Sequence, residues 1–289
     1  MKAIVTGANG LVGRAQKLYC AAQGVEVAAF DHKLLDVINA AQVNKIFEDV
    51  KPDVVFNCAA WTDVDGCEFE PERARAANAV GPEVLALACR AAGALLVTIS
   101  TDFVFDGRKD GFYTQRDQPN PQSIYAQTKL EGERRAQLAW ARTIVVRTGY
   151  VFGIGGKNFL SALVPRAEAG ERLKAISDMY GTPTYAEDLA KRLYELAQRD
   201  LPGVYHVVNS GNGASFAQFA DIALTEAGLD RAMVANVELS SLKRPAPRPI
   251  NSRLRCVLSP AIGLESLPPW EDATKAFVRS LRKKATNTP

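Results

Sequence analysis

Gly7-Ala8-Asn9-Gly10-Leu11-Val12-Gly13 lies between a short apolar run, Lys2–Thr6, and a longer stretch, Leu11–Ala22. The first segment predicts a buried strand and the second predicts the helix that follows it. Glycines at positions 7 and 10 allow a tight turn and a close backbone approach to a pyrophosphate, and Gly13 lets the helix pack against the strand. The turn therefore predicts a phosphate-binding strand–turn–helix unit, with a cofactor-free α/β turn as the alternative.

A second apolar run, residues 25–30, ends at Asp31, where a carboxylate would accept hydrogen bonds from adenosine ribose hydroxyls. The same carboxylate repels a 2′-phosphate, which favours NADH over NADPH. His32 and Lys33 follow at once, and a lysine there would offset part of that repulsion. We therefore expect a modest NADH preference with NADPH still accepted, although both residues also suit an exposed turn.

Strands and helical stretches alternate through the first half of the chain, with further strands expected at 53–57, 94–100 and Thr143–Thr148. This alternation predicts an α/β fold, a Rossmann-type doubly wound parallel sheet with helices on both faces. Ligands of such sheets lie at the carboxyl ends of the strands. Candidate residues fall at those ends: Gly7, Asp31, Asn57-Cys58-Ala59-Ala60, Ser100-Thr101 and Arg147-Thr148.

The pattern changes after Val151. We expect a dinucleotide-binding domain over 1–152, to which 185–209 returns, and a smaller C-terminal α/β substrate lobe formed by 153–184 and 210–289. Prolines exclude helix interior and central strand from the basic segment 243–249, which we expect to face the cleft.

Composition narrows the functional classes. The net charge of +3 over 289 residues is too small to indicate nucleic-acid binding. The chain contains no uninterrupted stretch of about 18 apolar residues, so no transmembrane helix is expected. The chain starts directly with a strand, so no signal peptide is expected. Two histidines and cysteines without CxxC spacing predict no metal cluster. We expect reduced thiols in a cytoplasmic protein at the five cysteines, Cys20, Cys58, Cys67, Cys89 and Cys256.

Tyr125 and Lys129 form a candidate acid/base pair, because residues four apart share one face of a helix. A free tyrosine titrates near pH 10, and a nearby ammonium together with an oxidised nicotinamide would lower that pKa. Thr101, at the end of the neighbouring strand, could hydrogen-bond the carbonyl oxygen that Tyr125 protonates. An ordinary surface pair is the alternative, disfavoured by the upstream Thr101 and the glycine turn.

These motifs resemble the extended short-chain dehydrogenases/reductases and, within them, the dTDP-4-dehydrorhamnose reductases. The glycine turn and the Tyr125/Lys129 spacing specify only the superfamily, whereas 100–107 and 248–254 are far more specific. The matching stretches cover most of the chain: 7–13, Leu35-Asp36-Val37, 57–65, 100–107, 125–133, 180–190 and 248–254.

The resemblance implies reduction at C4 of a nucleotide-linked 4-keto-6-deoxy sugar, giving dTDP-L-rhamnose from dTDP-6-deoxy-L-lyxo-4-hexulose. Hydride would come from NADH or NADPH, the proton from Tyr125, and Lys129 would bind the cofactor ribose, with Thr101 completing the catalytic set. Tyr125 and Lys129 aside, the implied cofactor-binding residues are Gly7, Asn9, Gly10, Leu11, Val12, Gly13, Asp31, His32, Asp36, Val37, Cys58, Ala59 and Ala60. The implied substrate-binding residues are Thr62, Val64, Thr101, Asp102, Phe103, Tyr150, Asn158 and Arg248.

Lys243, Arg244 and Arg248 are candidate partners for the diphosphate, with solvated loop charges as the alternative. The chain also departs from the family pattern, at Gly149-Tyr150 in place of Ser-Trp, at Met179 in place of Gln, at Gln115 in place of Glu, and at Arg255 in place of an acid. The first two departures leave the exact sugar less secure than the reaction class.

Three rival functions remain to be weighed. A 4,6-dehydratase needs a glutamate base where this chain has Phe103, so dehydration is disfavoured. A 4-epimerase or related ketoreductase remains an alternative, as does a non-catalytic NAD(P)-binding regulatory subunit of the kind known for methionine adenosyltransferase. The intact set of Thr101, Tyr125 and Lys129 argues against the regulatory subunit. The sequence leaves open a monomer or a homodimer, and a magnesium ion at a subunit contact.

Overall fold

A computed structural model describes residues 1–286, with side chains described through residue 283. Twelve strands lie within this part of the chain: β1 (Lys2–Thr6), β2 (Glu26–Phe30), β3 (Val54–Asn57), β4 (Leu95–Thr101), β5 (Thr143–Thr148), β6 (Val151–Phe152), β7 (Leu173–Ile176), β8 (Tyr180–Gly181), β9 (Thr184–Tyr185), β10 (Gly203–His206), β11 (Ala214–Ser215) and β12 (Val234–Val237). Eleven α-helices lie within the same residues: α1 (Leu11–Ala22), α2 (Ala40–Val50), α3 (Val64–Phe69), α4 (Pro71–Arg75), α5 (Gly81–Ala92), α6 (Ile124–Ala139), α7 (Phe159–Glu168), α8 (Ala186–Arg199), α9 (Phe216–Ala227), α10 (Leu258–Ala261) and α11 (Trp270–Thr286).

The main sheet has six strands in the order β10-β5-β4-β3-β1-β2, and every neighbouring pair is parallel. The order reverses between β1 and β3, which makes that gap the topological switch point where ligands of such sheets bind. The parallel sheet confirms the predicted Rossmann-type fold. The glycine turn follows β1 and the Asn57-Cys58-Ala59 stretch follows β3, so both predicted motifs lie at this point.

Two apolar layers cover the faces of this sheet, because successive side chains of a strand point in opposite directions. Ala3 and Val5 of β1 pack with α1 and α8, whereas Ile4 packs with α2, α5 and α6. All three of these side chains are fully buried. Full burial of a large aliphatic side chain such as Ile4 stabilises a fold by roughly 1.5–3 kcal/mol. The sheet is therefore a rigid platform for residues at its carboxyl edge.

A second core lies apart from the sheet and consists of residues from α7, α9, α11 and the short strands around them. Phe152, Phe219 and Phe277 form its centre, with ring centroids 5.0 and 5.4 Å apart about Phe152. β10, within the segment 185–209 that was expected to return to the first domain, pairs with β5 at the edge of the main sheet. The division into two domains stays a prediction.

Residues 254–267 pack against the main sheet and not in the second core. Leu264 and Leu267 belong to the apolar layer that holds α1 and α8, and Leu254 packs on Phe105 and Tyr113. This part of the predicted substrate lobe is thus bound to the sheet, and the last three residues assigned to that lobe, 287–289, lie outside the described residues. Among residues 1–286, no helix is both long and apolar enough to cross a membrane.

Candidate active site

The glycine turn is shaped by contacts that no larger side chain allows. Gly7 adopts φ +61°, and a Cβ there would lie 2.6 Å from the Cys58 carbonyl oxygen. A Cβ on Gly13 would overlap the Gly7 carbonyl oxygen, so α1 can approach β1 only with glycine at this position. The N-terminus of α1 carries no side-chain cap, which leaves its backbone N–H groups for a ligand. These features fit a pyrophosphate.

Asp31 lies at the end of β2, beside this turn. Its Oδ2 accepts a hydrogen bond from Asn9 Nδ2 at 2.5 Å, and its Oδ1 accepts from the backbone N–H groups of Lys33 and Leu34 at 2.9 and 3.1 Å. The Lys33 N–H is the leading cause that lowers the pKa of Asp31. His32 and Lys33 are exposed. The carboxylate is therefore ionised and oriented by the loop that follows it.

Asp36 and Val37 lie further along the same loop. Val37 is buried, and a Cβ on Gly81 would lie 2.8 Å from its Cγ2. Asp36 is exposed, and its Oδ1 accepts a hydrogen bond from the Ile38 N–H at 3.2 Å. Neither residue lines the cavity that opens at the carboxyl edge of the sheet.

A cavity of about 490 Å³ opens at the carboxyl edge of the sheet. It brings together most of the predicted site residues, and each of the following lines its wall: Gly10, Leu11, Val12, Cys58, Ala59, Ala60, Thr62, Val64, Thr101, Asp102, Phe103, Tyr125, Lys129, Tyr150, Asn158 and Arg248. The predicted residues outside its wall lie under the turn or at the β2 edge: Gly7, Asn9, Gly13, Asp31, His32, Asp36 and Val37.

Helix α6 places Tyr125 and Lys129 in this wall. Ser123 caps the helix by accepting a hydrogen bond from the Ala126 N–H at 3.2 Å, so Tyr125 falls in the first turn and Lys129 one turn later. Both side chains are buried. The Tyr125 phenol lies beside the Thr101 side chain, and the ring packs edge-on against Phe103 with centroids 6.3 Å apart. The predicted catalytic residues thus form one buried group.

The expected lowering of the Tyr125 pKa does not come from the protein's own groups. Burial raises the pKa of Tyr125 well above its ordinary value, the neighbouring Thr101 hydroxyl opposes the shift, and Asp102 adds to it. Lys129 is not among the causes, and its Nζ donates to the Ile99 carbonyl oxygen at 2.6 Å. Burial lowers the pKa of Lys129 to about 8, against the opposing charge of Glu133. A protonated phenol is the form that a proton donor needs.

Glu133 and Arg147 form a buried ion pair directly beneath Lys129. Arg147 Nη2 donates to Glu133 Oε2 at 2.7 Å, Arg147 Nε donates to Oε1 at 3.0 Å, and Ser100 Oγ donates to Oε1 at 2.5 Å. The two charged side chains are 7% and 4% exposed. The motifs contain both residues, but sequence reasoning assigned them no partner, because their contact joins a helix to a strand.

Asp102 is a buried carboxyl in the cavity wall. Thr101 Oγ1 donates to its Oδ1 at 3.1 Å, and the Ser252 hydroxyl donates to its Oδ2. Burial raises the pKa of Asp102 to about 6, against these hydrogen bonds. A Cβ on Gly149 would overlap this carboxyl, which explains the glycine at one of the departures from the family pattern. Ser252 was missed as a site residue by sequence reasoning.

Tyr150 and Phe216 form an aromatic wall, with ring centroids 4.6 Å apart. Tyr150 adopts φ +46° and donates to the Met179 carbonyl oxygen at 3.4 Å. Phe216, Leu160 and Met179 line the cavity. A capping box of Ser215 and Gln218 begins α9, and no pattern in the sequence indicates that Phe216 lies beside Tyr150.

Asn158 lines the cavity, but its side-chain oxygen and nitrogen are both hydrogen-bonded to the backbone. Its Oδ1 accepts from the Ser161 N–H at 2.9 Å, which caps α7, and its Nδ2 donates to the Val151 carbonyl oxygen at 2.7 Å. Both bonds fix the start of α7 against β6.

Arg248 is the residue of the basic proline segment that reaches the cavity wall; Lys243 and Arg244 do not. Arg248 forms two hydrogen bonds with the Asp65 carboxylate, each of 2.9 Å. Arg244 Nη1 contacts the same carboxylate at 3.3 Å. Of the three basic candidates, Arg248 therefore lines the cavity, whereas Lys243 and Arg244 are exposed outside its wall.

Within the described residues, no group of three or more His, Cys, Asp or Glu side chains could hold a metal ion. The five cysteines are free thiols.

The parallel sheet, the glycine turn at its switch point and the buried Thr101–Tyr125–Lys129 group define a Rossmann-type oxidoreductase of the extended short-chain dehydrogenase/reductase class. A family model described as the RmlD substrate binding domain matches residues 1–283. A dTDP-4-dehydrorhamnose reductase from Streptomyces griseus is 38% identical over 95% of this chain and 92% of its own. The chain therefore belongs to the dTDP-4-dehydrorhamnose reductase family.

Solved structures agree with this assignment. A dTDP-4-dehydrorhamnose reductase from Clostridium acetobutylicum is 36% identical, with a TM-score of 0.92 over 98% of this chain and 100% of that one. The enzyme of the same name from Bacillus anthracis, solved in complex with NADP, is 32% identical, with a TM-score of 0.93 over 96% of this chain and 99% of that one.

Proposed function

We propose that this protein uses NADH or NADPH to reduce the C4 keto group of dTDP-4-dehydrorhamnose, giving dTDP-L-rhamnose. The observation that carries the proposal is that Thr101, Tyr125 and Lys129 line one cavity that begins at the glycine turn. Family membership supports the same reaction. The roles of the individual residues are part of this proposal.

When bound, the dihydronicotinamide supplies hydride to C4 of the keto sugar. Tyr125 Oη gives its proton to the oxygen that becomes the C4 hydroxyl, which leaves the alcohol neutral and Tyr125 as a phenolate. Thr101 stabilises that phenolate by hydrogen bonding, and the Lys129 ammonium, with its pKa of about 8, holds the cofactor ribose. Hydride and proton together make up the two-electron reduction of one carbonyl.

Phe103 supports reduction over dehydration. Its ring packs edge-on against Tyr125, where a dehydratase needs a carboxylate to remove the C5 proton. An epimerase would share the site but would retain its cofactor between turnovers, so its purified form would carry NAD.

The test follows the loss of nicotinamide absorbance with a panel of dTDP- and UDP-linked 4-keto sugars. We expect stoichiometric oxidation of NAD(P)H with the dTDP-4-keto-6-deoxy sugar. Tyr19→Phe, at a half-buried tyrosine of α1 outside the cavity wall, is the matched control for Tyr125→Phe and should retain wild-type turnover. Sugar interconversion without net cofactor oxidation would replace the proposed reductase with an epimerase, and cofactor binding without any turnover would indicate a regulatory subunit.

Cofactor preference follows from Asp31. Its carboxylate has one oxygen on two backbone N–H groups and the other on Asn9, so it is fixed beside the expected ribose site. We propose an NADH preference of about tenfold, because charge repulsion of a 2′-phosphate near a surface is partly screened and partly offset by Lys33. The ratio of kcat/KM for the two cofactors measures it, and a strong NADPH preference would assign the ribose pocket to Lys33.

We further propose a cytoplasmic enzyme, in line with five free thiols, built from a dinucleotide-binding domain and a substrate lobe that together bind a nucleotide sugar. A monomer or a homodimer remains the expectation. Light scattering with and without magnesium tests both the subunit number and a bridging metal ion.

A further inference from the structure

The Asp65 carboxylate gathers donors from the proline segment, some 180 residues away in the sequence. It lies in the first turn of α3 and accepts hydrogen bonds from Arg248 Nη1 and Nη2 at 2.9 Å each, from the Ala246 N–H at 3.1 Å and from Arg244 Nη1 at 3.3 Å. The Arg248 side chain is 12% exposed. One carboxylate thus fixes both the backbone and the side chain of the segment that closes this wall of the cavity.

The hydrogen-bond partners of Arg248 leave a defined set of donors. A guanidinium carries five N–H groups. The two on Nη1 go to Asp65 Oδ1 and to the Ala246 carbonyl oxygen at 3.0 Å, and one on Nη2 goes to Asp65 Oδ2. Within the side chains described, Nε–H and the second Nη2–H have no partner. These two N–H groups share one edge of the planar guanidinium and suit two oxygens of one phosphate.

We infer that Asp65 is a positioning residue, which holds Arg248 so that the Nε/Nη2 edge binds one phosphate of the substrate's diphosphate. The inference rests on the proposed function, which supplies a nucleotide-linked substrate. Asp65 takes the other edge of the guanidinium and removes the rotamer freedom that a long side chain would otherwise lose on binding. The guanidinium is therefore oriented before the anion arrives.

The charges of the cluster support this role. Asp65 carries one negative charge against the positive charges of Arg248 and Arg244, so the cluster keeps a net positive charge for an anion. The hydrogen bond from Arg248 is the leading cause that lowers the pKa of Asp65 to about 2, so the carboxylate stays ionised throughout the working range of pH. A carboxylate near a phosphate also repels it, and the experiment decides which effect governs affinity.

Calorimetric titration with dTDP and with thymidine separates positioning from general damage to the pocket. We expect Asp65→Asn to weaken dTDP binding about tenfold, the scale of one charge-assisted hydrogen bond, and to leave thymidine binding unchanged. Arg248→Lys, which keeps the charge but loses the two-donor edge, should weaken dTDP binding at least as much. In steady state, both variants should raise KM and leave kcat near wild type.

Lys243→Ala is the matched control, because Lys243 is an exposed cation of the same segment outside the cavity wall. Its dTDP affinity should remain within about twofold of wild type, as expected for a screened surface charge. An equal loss in Lys243→Ala would replace the positioned arginine with diffuse loop charge and overturn the inference. Unchanged or tighter dTDP binding in Asp65→Asn would overturn it as well.

Two further outcomes bear on the inference. A parallel loss of thymidine affinity in Asp65→Asn would reduce Asp65 to a structural link between α3 and the proline segment, and overturn positioning. A wild-type protein that binds neither dTDP nor thymidine would overturn the proposed function itself, and with it the substrate to which this inference refers. Wild-type dTDP binding with no difference between variants rejects the positioning role alone.

Discussion

Replacement of Glu133 by Gln tests whether the buried ion pair beneath the active site keeps Lys129 charged. Glu133 is the leading group that opposes the burial-driven fall of the Lys129 pKa, and it is the counter-charge of Arg147. Glu133→Gln keeps the size of the side chain and one carbonyl acceptor for Ser100 but removes the negative charge. Two buried cations then remain without a carboxylate between them.

Loss of the Glu133 charge should lower the free energy of unfolding. Breaking a buried pair by removing one partner destabilises a protein by about 3–5 kcal/mol, because the remaining charge has lost both its counter-ion and its water. Removing the same charge lets burial lower the pKa of Lys129 below its present value of about 8. Between its folded pKa and the ordinary value, the unfolded chain binds more protons, so the free energy of unfolding rises with pH across that window. The variant should widen this window toward neutral pH.

The assay combines denaturant unfolding between pH 6 and pH 9, taken as roughly the range that spans a lowered lysine pKa, with fluorescence titration of NADPH over the same range. We expect NADPH affinity to fall as pH rises, and the midpoint of this fall should lie at a lower pH in Glu133→Gln than in wild type. The proposed contact of Lys129 with the ribose weakens once the amine is neutral. Glu131→Gln is the matched control on the same helix; its exposed pairs with Arg75 and Arg135 should cost at most about 1 kcal/mol.

The double variant Glu133→Gln/Arg147→Met removes both charges of the pair and should recover much of the stability that the single variant loses. A free energy of unfolding of Glu133→Gln within about 1 kcal/mol of wild type, the upper end for an exposed pair, together with an unshifted pH profile of NADPH binding, would contradict this prediction.

Three further predictions concern the cavity and the turn. Tyr125→Phe should fold and bind cofactor as wild type does but lose about 10²-fold or more in turnover; near wild-type turnover removes Tyr125 from the mechanism. Gly13→Ala forces α1 away from the Gly7 carbonyl. It should lower the free energy of unfolding by about 1–3 kcal/mol and weaken cofactor binding, and an unchanged midpoint of denaturant unfolding contradicts the close packing. Burial raises the pKa of Asp102 to about 6, so its stabilising contribution is present below the unfolded pKa and is lost as pH rises through about 6. Asp102→Asn should therefore gain stability relative to wild type between about pH 4 and pH 7. A stability difference between the two proteins that stays constant over this range contradicts that shift.

The main sheet was predictable because its strands are short apolar runs separated by turns and amphipathic helices. β1, α1 and β5 have the predicted bounds, and the ends of β2, β3 and β4 differ from the predicted ones by at most one residue. The glycine turn was predictable for a different reason: a left-handed φ at Gly7 and the contact at Gly13 each admit only glycine. Local constraints of this kind are visible in a single chain.

The second core and its contacts were harder to predict from the sequence. β8 and β11 have two residues each, too few for any alternation of apolar and polar side chains to emerge. The bond between Asp65 and Arg248 and the contact of the Tyr150 ring with the Phe216 ring join segments that are distant in the chain. No spacing rule encodes such pairs, because tertiary packing alone brings them together.

The raised pKa of Tyr125 was missed for a related reason. The sequence identified the nearby ammonium, but only the packed structure shows that burial raises this pKa and that Lys129 is bonded to the backbone of Ile99 instead of acting on the phenol.

Tyr150 stands where the chain leaves the main sheet for the second core, and its left-handed backbone conformation limits how this pocket can be remodelled. Such a conformation costs about 1–3 kcal/mol for a residue other than glycine, and its ring covers Gly181 as well as Phe216. Glycine at position 150 would relieve the backbone but open the wall, while a β-branched residue would aggravate the strain. Directed evolution toward other sugars should therefore leave this position unchanged and accumulate substitutions at Met179 and Leu160, whose backbones carry no such constraint.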